Sequence, residues 1–312
     1  MHFAAVEGGG QSWVCALASG QPDSIVESAT FPTLDPGQTL GEIKAWLVAR
    51  KEKIRSIGIA TFGPIDARPA SSRFGYITST PKEGWGQTDV LRMLGVYDEL
   101  RGIPYRFDTD VNAPALSEYA SIGGISSCAY VTVGTGIGVG LVVNGRTVHG
   151  MLHPEAGHML VARMGNDHFP GVCKFHKCCV EGMCSSVAVA ARAGVPLTSL
   201  PSLTDSHEVW DICAYYIAAL CANLILTVSP ERIILGGGVM NRTCLFDKVR
   251  RYTLQILNGY IEVGALKEDI IHNYITPSRW GSQAGIVGAL HLAQTASIES
   301  GLDPVIHEEK RH

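Results

Sequence analysis

The sequence predicts an α/β protein built from two similar domains. Near the start of the chain, a short apolar strand, a glycine-rich turn and a second strand span residues 3–6, 8–10 and 13–18. The same pattern returns at residues 128–133, 134–140 and 141–143. A length of 312 residues fits two domains at roughly 100 to 200 residues each. We therefore expect a duplicated architecture, with a cleft between one domain over residues 1–119 and another over residues 120–312.

The remaining predicted elements are a mixture of helices and strands, as in an α/β architecture. Predicted helices span residues 40–50, 113–120, 215–228, 247–257 and 281–290, and predicted strands span residues 56–60, 103–108 and 231–235. Asn144-Gly145 follows the second glycine-rich repeat and is a strong hairpin signal. The last helix, at about residues 283–296, carries small residues on one face, and we expect it to pack back on the N-terminal domain.

Composition and charge exclude several classes of protein. Hydrophobic residues make up 46% of the chain and charged residues 17%, which is the opposite of a disordered composition. The net charge of −4 offers no general attraction for nucleic acid or an anionic membrane, so we expect neither as a partner. The apolar residues 215–228 are too few to span a bilayer and predict a buried helix.

The first residues show no secretory pattern, and we therefore expect a cytoplasmic protein. The chain contains nine cysteines. In a cytoplasmic protein they are expected to be reduced thiols or metal ligands rather than disulfides.

The glycine-rich turns are candidate phosphate-binding loops, because glycine lets backbone N–H groups approach a phosphate closely. The second turn is not a dinucleotide-binding fingerprint, since its glycines lead into a strand and not into a helix. A further run, at residues 236–238, follows a predicted buried strand. Ordinary hairpins and a tight strand-to-helix turn remain the alternatives for these three segments.

Asp110 is the candidate catalytic residue. It follows the predicted strand at residues 103–108 and precedes a predicted helix. A carboxylate at such a junction can take a proton from a hydroxyl that attacks a phosphorus centre. Asn112 fits a helix N-cap, and Asp108 fits a turn residue.

A cluster of cysteine and histidine predicts a zinc site. The predicted ligands are His158, Cys173, His176 and Cys179, which combine a C-x-x-H-x-x-C core with an upstream histidine. Thiolate and imidazole are the groups that bind structural Zn²⁺. The alternatives at this site are Cys178, Cys184 and His168. Bound zinc would also hold two carboxylates near its ligands, those of Glu155 and Glu181.

Seven segments, in this order, resemble the ROK sugar kinases, and most closely the fructokinase branch of that family. They are residues 58–66, 75–85, 108–112, 131–138, 153–158, 173–182 and 233–240, which together extend over nearly the whole chain. The segment at 75–85 ends in Thr80-Pro81-Lys82-Glu83-Gly84-Trp85, a motif similar to one typical of the fructokinase branch.

The resemblance implies an actin-like fold (a duplicated ribonuclease H-like fold), a homodimer, ATP with Mg²⁺, Zn²⁺, and a hexose in the interdomain cleft. Asp110 matches the catalytic base of the family, and His158 matches a zinc ligand. The residues implied to bind the sugar are Thr109, Asn112, Glu155, His158 and Glu181. Those implied to bind ATP are Gly9, Gly10, Gln11, Gly134, Thr135, Gly136, Gly138, Gly236, Gly237 and Gly238.

One departure from the family lies in the first phosphate loop. Family members usually carry Gly-Gly-Thr-Lys there, whereas this chain has Gly9-Gly10-Gln11-Ser12. A cation near the transferring phosphoryl group stabilises transition-state charge. We therefore expect either weaker use of ATP or a replacement cation from elsewhere in the chain.

The expected reaction is phosphorylation of D-fructose to D-fructose 6-phosphate. Mannose, glucose or an N-acyl hexosamine is the alternative substrate, because one sequence does not define the pocket shape that separates these sugars. A catalytically weak sugar-binding sensor is the alternative outside enzymes. Sugar-responsive repressors of the family carry a helix-turn-helix region before the first hairpin, and here that hairpin begins at about Phe3.

Overall fold

A computed structural model describes residues 1–303 of the chain, which form two compact units. Of the described residues, the first unit comprises Met1–Ser117, His149–His153 and 283–303, and the second comprises Glu118–Val148 and Pro154–Ser282. The sequence-based division left residues 149–153 in the second domain. In the structure, His149 and His153 hydrogen-bond to residues of the first unit and hold that segment there. Residues 304–312, part of the predicted second domain, lie outside the described residues.

The chain contains both strands and helices, interspersed along its length. In chain order the strands are β1 (His2–Gly8), β2 (Ser12–Ala18), β3 (Ile25–Pro32), β4 (Ile54–Thr61), β5 (Ile65–Asp66), β6 (Tyr76–Ile77), β7 (Thr88–Asp89), β8 (Tyr105–Thr109), β9 (Ser127–Val133), β10 (Ile137–Val143), β11 (Arg146–Thr147), β12 (Ile233–Gly236) and β13 (Ile275–Pro277). The helices are α1 (Pro36–Val48), α2 (Val90–Met93), α3 (Asn112–Ile122), α4 (Val180–Cys184), α5 (Ser186–Ala193), α6 (Val209–Thr227), α7 (Cys244–Leu257) and α8 (Ala284–Glu299).

The two units contain five-stranded sheets with the same plan. In the first unit the strand order is β3-β2-β1-β4-β8, and in the second it is β11-β10-β9-β12-β13. Each sheet pairs three antiparallel strands from consecutive hairpins and then adds two parallel strands. The glycine hairpin β1–β2 of the first sheet therefore corresponds to β9–β10 of the second. This confirms the duplication that the repeated pattern predicts.

Helix α8 packs against the first sheet. A Cβ atom on Gly58 of β4 would lie 1.8 Å from the carbonyl oxygen of Ala289. One on Gly288 would lie 2.2 Å from the backbone of Ala113 at the start of α3. Because real Cβ atoms do not approach other atoms so closely, glycine is needed at both contacts.

Helix α6 is the core helix of the second unit. Among the described residues, it is the one helix long and apolar enough to cross a membrane by length and composition. However, 72% of its most apolar stretch is buried in the structure. The predicted buried helix at residues 215–228 is therefore confirmed, and it begins earlier, at Val209.

Candidate active site

Asp110 lies in the turn between β8 and α3, at the strand-to-helix junction that the sequence predicts. Its N–H donates to the carbonyl oxygen of Thr61, which ends β4, over 3.0 Å. Since β4 and β8 are parallel neighbours, their carboxyl ends meet at this edge of the sheet. Ligands of open α/β sheets bind at the carboxyl ends of the strands, so Asp110 is placed where chemistry is expected.

The turn that carries Asp110 is held by the buried carboxylate of Asp108. Its Oδ1 accepts the backbone N–H of Thr109 at 2.7 Å and the side-chain amide of Asn112 at 2.9 Å. His149 Nε2 lies 3.0 Å from the same oxygen. The Thr109 hydroxyl in turn accepts the N–H of Asn112 at 2.9 Å, which satisfies a free donor at the start of α3. Asp108 is thus a structural anchor of the turn.

Two carboxyl groups with raised pKa values occur at this edge of the first sheet. Burial raises the pKa of Asp110 to about 7, from an ordinary value of 3.8. Burial, and then repulsion by the Asp110 charge, raise the pKa of Glu7 at the end of β1 to about 7 as well. A Cβ on Gly285 would lie 1.8 Å from Glu7 Oε1, so the Glu7 side chain passes directly over the start of α8. Glu7 is not among the candidates predicted from the sequence, although an acidic residue directly before a run of glycines is a visible signal.

The first glycine hairpin has a tight, accessible tip. The N–H of Gly9 donates to the carbonyl oxygen of Ser12 at 2.9 Å, and this bond closes the turn. A Cβ on Gly10 would meet no atom within 4 Å, and Gln11 is exposed. A ligand can therefore approach the backbone at residues 9–11, where the predicted phosphate loop lies.

The second glycine hairpin is hydrogen-bonded to a predicted sugar ligand. The N–H of Gly134 donates to the carbonyl oxygen of Gly136 at 2.9 Å, which closes this turn. Glu181 Oε2 accepts the N–H of Ile137 at 3.1 Å. A Cβ on Gly136 would lie 2.7 Å from the same oxygen. Glycine at this position therefore lets the Glu181 carboxylate lie against the turn.

The turn of this second hairpin is shorter than the sequence predicts. It ends at Gly136, because Ile137 already pairs with Val133 as the first residue of β10. Gly138 therefore lies in a strand, where it pairs with Thr132. Thr135, at the tip of the turn, is exposed. The sequence marks the glycines but not the register of the hairpin, and the register decides which of them are in the turn.

The three glycines at the end of β12 and directly after it have different structural requirements. A Cβ on Gly236 would lie 2.5 Å from the hydroxyl of Tyr130. Gly237 has a φ of 87°, and its Cβ would lie 2.5 Å from the backbone of Val133. Gly238 is exposed, and its Cβ would meet no atom within 4 Å. Packing therefore explains the first two glycines, and Gly238 is the one with open space for a ligand.

The four predicted zinc ligands lie together in the second unit. The ligand atoms of His158, Cys173, His176 and Cys179 all lie within 4.8 Å of one another. His158 Nδ1 is 3.7 Å from Cys173 Sγ and 3.5 Å from Cys179 Sγ, and His176 Nδ1 is 3.9 Å from Cys173 Sγ. Tetrahedral Zn²⁺ with its usual bond lengths separates such atoms by roughly 3.4–3.8 Å. The donor types and their spacing therefore fit zinc.

The alternative ligands are not part of this group. Among the described residues, the cluster contains neither Cys178 nor Cys184 nor His168. All nine cysteines lie within the described residues, and none of them is in a disulfide.

A tight loop brings the ligands together. Cys173 and Lys177 exchange backbone hydrogen bonds of 3.3 and 3.1 Å, and Lys177 has a φ of 55°. Cβ atoms on Gly171 and Gly182 would lie 2.0 and 1.8 Å from the Lys177 carbonyl oxygen. Glycine at both positions therefore allows the loop to close, and α4 begins directly after Cys179.

The two glutamates that the sequence singles out lie next to predicted zinc ligands. Glu155 is exposed and precedes a short 3₁₀ turn that ends at His158, whose N–H donates to the Glu155 carbonyl oxygen at 3.0 Å. A Cβ on Gly157 would lie 1.8 Å from the Ile137 carbonyl oxygen, so this turn packs directly on β10. Glu181 lies in the first turn of α4. Glu155 thus lies three residues before the predicted ligand His158, and Glu181 lies two residues after the predicted ligand Cys179.

A buried ion pair that the sequence analysis missed supports the same loop. Arg192 of α5 donates two hydrogen bonds to the carboxylate of Asp167, at 3.1 and 2.7 Å, and one to the Met183 carbonyl oxygen. The Tyr216 hydroxyl donates to Asp167 at 2.5 Å. Burial alone raises the pKa of Asp167, but these hydrogen bonds outweigh it and hold the pKa well below its ordinary value.

Comparison with known sequences identifies the family. Residues 3–296 match the model of the ROK family. The chain belongs to the ROK family. This confirms the resemblance carried by the seven segments, and it covers both units of the structure.

The ROK relatives of this chain include several fructokinases. A putative fructokinase of Bacillus subtilis is 40% identical over 294 residues, which are 93% of this chain and 95% of the relative. Fructokinases of Pediococcus pentosaceus and Zymomonas mobilis are 36% and 38% identical, covering 95% and 94% of this chain and 99% and 97% of their own lengths.

Solved structures of ROK proteins share the fold. A ROK hexokinase from Thermus thermophilus matches with a TM-score of 0.73 at 24% identity, over 96% of this chain and all of the other. A ROK glucokinase from Streptomyces griseus, solved in complex with glucose and AMPPNP, matches with a TM-score of 0.69 at 21% identity, over 95% of this chain. The predicted actin-like α/β fold is therefore confirmed.

Proposed function

We propose that this ROK protein is a fructokinase, an ATP:hexose 6-phosphotransferase that converts D-fructose to D-fructose 6-phosphate. Relatives that carry this name are 36–40% identical to it over nearly its whole length. The main structural support for this chemistry is the position and the pKa of Asp110. Its carboxyl group lies at the carboxyl ends of two parallel strands, and its pKa is about 7. A general base is most effective when its pKa lies near the working pH.

Asp110 acts as the general base in this proposal. Its carboxylate takes the proton from the C6 hydroxyl of fructose as that oxygen forms a bond to the γ-phosphorus of ATP. The bond between the γ-phosphorus and the bridging oxygen breaks, and ADP leaves. The hydrogen bonds of Asp108 to the turn keep the Asp110 carboxylate in place, and such positioning contributes to catalysis by holding the reacting atoms in one geometry.

ATP is proposed to contact the glycine turns and the 3₁₀ turn after β12. Gly10, Gln11, Thr135 and Gly238 are the exposed residues among the predicted ATP ligands. Gly138 lies in β10, and the other predicted ligands support the shape of the turns. Mg²⁺, when bound, neutralises phosphate charge and orients the γ-phosphoryl group. Glu7 offers a carboxylate of the kind that Mg²⁺ prefers as a ligand.

The sugar is proposed to be held by carboxylates that the metal-binding loop positions. Glu155 and Glu181 accept hydrogen bonds from sugar hydroxyls, with help from His158. Thr109 and Asn112 are buried and bonded to each other in the Asp110 turn, so their contribution to sugar binding is through the position of that turn.

Zinc is proposed to occupy the cluster of His158, Cys173, His176 and Cys179. Its role is to tie the 3₁₀ turn that follows Glu155 to the loop that precedes α4, so that zinc acts on sugar binding through the carboxylates of Glu155 and Glu181. We further propose a cytoplasmic homodimer whose ligands are a hexose and ATP, with no nucleic acid or membrane partner.

Steady-state kinetics test the substrate. Initial rates of ADP release are measured with ATP and Mg²⁺ for fructose, mannose, glucose, N-acetylmannosamine and N-acetylglucosamine, with a sugar-free blank. We expect the largest kcat/KM for fructose, by at least tenfold. A larger kcat/KM for another hexose would replace the substrate, and no release above the blank would instead support a sugar-binding sensor.

A further inference from the structure

A lysine contacts the hairpin in which the family's usual lysine is missing. Lys82 Nζ donates a hydrogen bond of 2.7 Å to the carbonyl oxygen of Gly10, at the tip of the β1–β2 hairpin. Among the lysines and arginines of the described residues, Lys82 is the one that bonds to hairpin residues 8–12. Gly10 directly precedes Gln11 and Ser12, the two residues that replace the usual Thr-Lys pair. The Lys82 ammonium therefore brings a positive charge to this phosphate loop.

Aromatic packing holds the Lys82 segment against the hairpin. Trp85, three residues after Lys82, is fully buried and stacks on Trp13 of β2, with ring centroids 5.3 Å apart. Phe62 packs edge-on against both rings. The Trp85 indole N–H also donates to the Leu34 carbonyl oxygen at 2.9 Å. The packing of Trp85 on Trp13 thus holds the Lys82 segment close to the hairpin tip.

The ammonium group retains capacity for a ligand. A lysine ammonium has three donors, and the Gly10 carbonyl oxygen takes one of them. A Cβ atom on Gly10 would meet no atom within 4 Å, so the space beside Gly10 is open. The Lys82 side chain is only partly buried and can reach that space. Lysine binds phosphate as a point charge in other phosphate loops. The same geometry can therefore accept a polyphosphate oxygen beside the hairpin.

We propose that Lys82 binds the triphosphate of ATP and supplies the cation that Ser12 does not. The proposal rests on the kinase function put forward above, and it adds a phosphate-binding residue from outside the glycine hairpin. Gly10 then has two functions. Its backbone N–H is available to the phosphate, and its carbonyl oxygen orients the Lys82 ammonium group. Because a hydrogen bond between charged groups is about twice as strong as a neutral one, removal of the ammonium has a large effect on ATP.

Lys82→Met removes the charge and keeps most of the apolar side chain, and Lys82→Arg keeps the charge. Lys51→Met is the matched control, since Lys51 is an exposed lysine of the same unit without a bond to the hairpin. We expect kcat/KM for ATP to fall by about 10- to 100-fold in Lys82→Met. Lys82→Arg should lose less than tenfold and Lys51→Met less than twofold. KM for fructose should stay within about threefold in all of them.

A rescue and a binding measurement separate a phosphate contact from a structural one. Adding Gln11→Thr and Ser12→Lys to Lys82→Met restores the usual loop and should recover at least tenfold of the lost kcat/KM. By titration calorimetry, Lys82→Met should bind AMPPNP at least tenfold more weakly than the wild type. It should bind AMP, which lacks the β and γ phosphates, with unchanged affinity. Thermal unfolding of each variant checks that it is folded.

The outcomes distinguish this inference from the kinase proposal. If the wild type binds AMPPNP but phosphorylates no hexose, the proposed function fails, and the calorimetry still decides the role of Lys82. If the wild type phosphorylates fructose and Lys82→Met keeps its kcat/KM and its AMPPNP affinity within twofold, the inference is overturned and the kinase proposal stands. Equal weakening of AMPPNP and AMP in Lys82→Met, or a lower unfolding temperature alone, also overturns it, because the lysine would then only secure the loop.

Discussion

Replacing the proposed base by its amide, Asp110→Asn, should lower activity and raise stability at the same time. The carboxyl group has a pKa of about 7 in the folded protein, against 3.8 ordinarily, because burial disfavours its charged form. The folded state therefore binds a proton more tightly than the unfolded state does. Protonation of Asp110 contributes fully to the free energy of unfolding below about pH 4, and this contribution is lost as the pH rises through about 7.

The magnitude follows from the two pKa values. Each unit between them corresponds to about 1.4 kcal/mol, so the ionised carboxylate costs roughly 4 kcal/mol of folding free energy at pH 8 as an upper limit. The neutral amide of Asp110→Asn escapes this cost and also relieves the repulsion on Glu7. We expect its unfolding temperature at pH 8 to be higher than that of the wild type by roughly 5–10 °C. The difference should disappear near pH 4.

The activity of the same variant is measured with fructose and ATP. A general base contributes typically 10²- to 10⁴-fold, so kcat should fall by about that factor. In the wild type, kcat/KM should rise tenfold per pH unit below pH 7 and level off above it. The pH profile of Asp110→Asn should lack this rise. The reasoning is refuted if Asp110→Asn keeps kcat within tenfold of the wild type, or if it is less stable than the wild type at pH 8.

Three further changes test the second unit. Cys179→Ser should reduce bound zinc from about one ion per chain to a small fraction, whereas Cys178→Ser should retain it, as measured by metal analysis after dialysis. Gly157→Ala should lower stability by about 1–3 kcal/mol in urea unfolding, because its Cβ would lie 1.8 Å from a backbone oxygen, whereas Gly150→Ala has open space. Asp167→Asn should destabilise the protein by about 3 kcal/mol at pH 7, because its arginine partner stays buried without a counter-charge, and the difference should shrink as acid protonates the wild-type carboxylate.

Each of these three changes has an outcome that contradicts the account. Full zinc content in Cys179→Ser would remove this residue from the ligand set. Equal stability of Gly157→Ala and Gly150→Ala would contradict the close contact of the 3₁₀ turn with β10. A stability loss in Asp167→Asn that grows on acidification would have the wrong sign for a carboxyl group whose pKa is held low.

Local patterns predict the parts of the site that depend on local geometry. The proposed zinc ligands Cys173, His176 and Cys179 lie within one short loop, so spacing alone brings three of the four together. Asp110 is found because the change from strand to helix is visible in hydrophobic periodicity. The duplication is visible because each unit begins with a glycine hairpin.

Other parts depend on contacts between distant segments, and no local pattern marks them. Lys82 lies 72 residues from Gly10, and Arg192 lies 25 residues from Asp167. The position of Gly138 in a strand follows from the pairing register of the hairpin, which glycine content does not determine.

The most direct test of the central claim is to identify the product of a competition. The protein is incubated with ATP, Mg²⁺ and an equimolar mixture of fructose, mannose, glucose and N-acetylmannosamine, and the sugar phosphates are identified by ³¹P NMR and mass spectrometry. The account predicts D-fructose 6-phosphate as the main product, in amounts equal to the ADP formed. Another sugar phosphate as the main product, or ADP with free phosphate and no sugar phosphate, would contradict it.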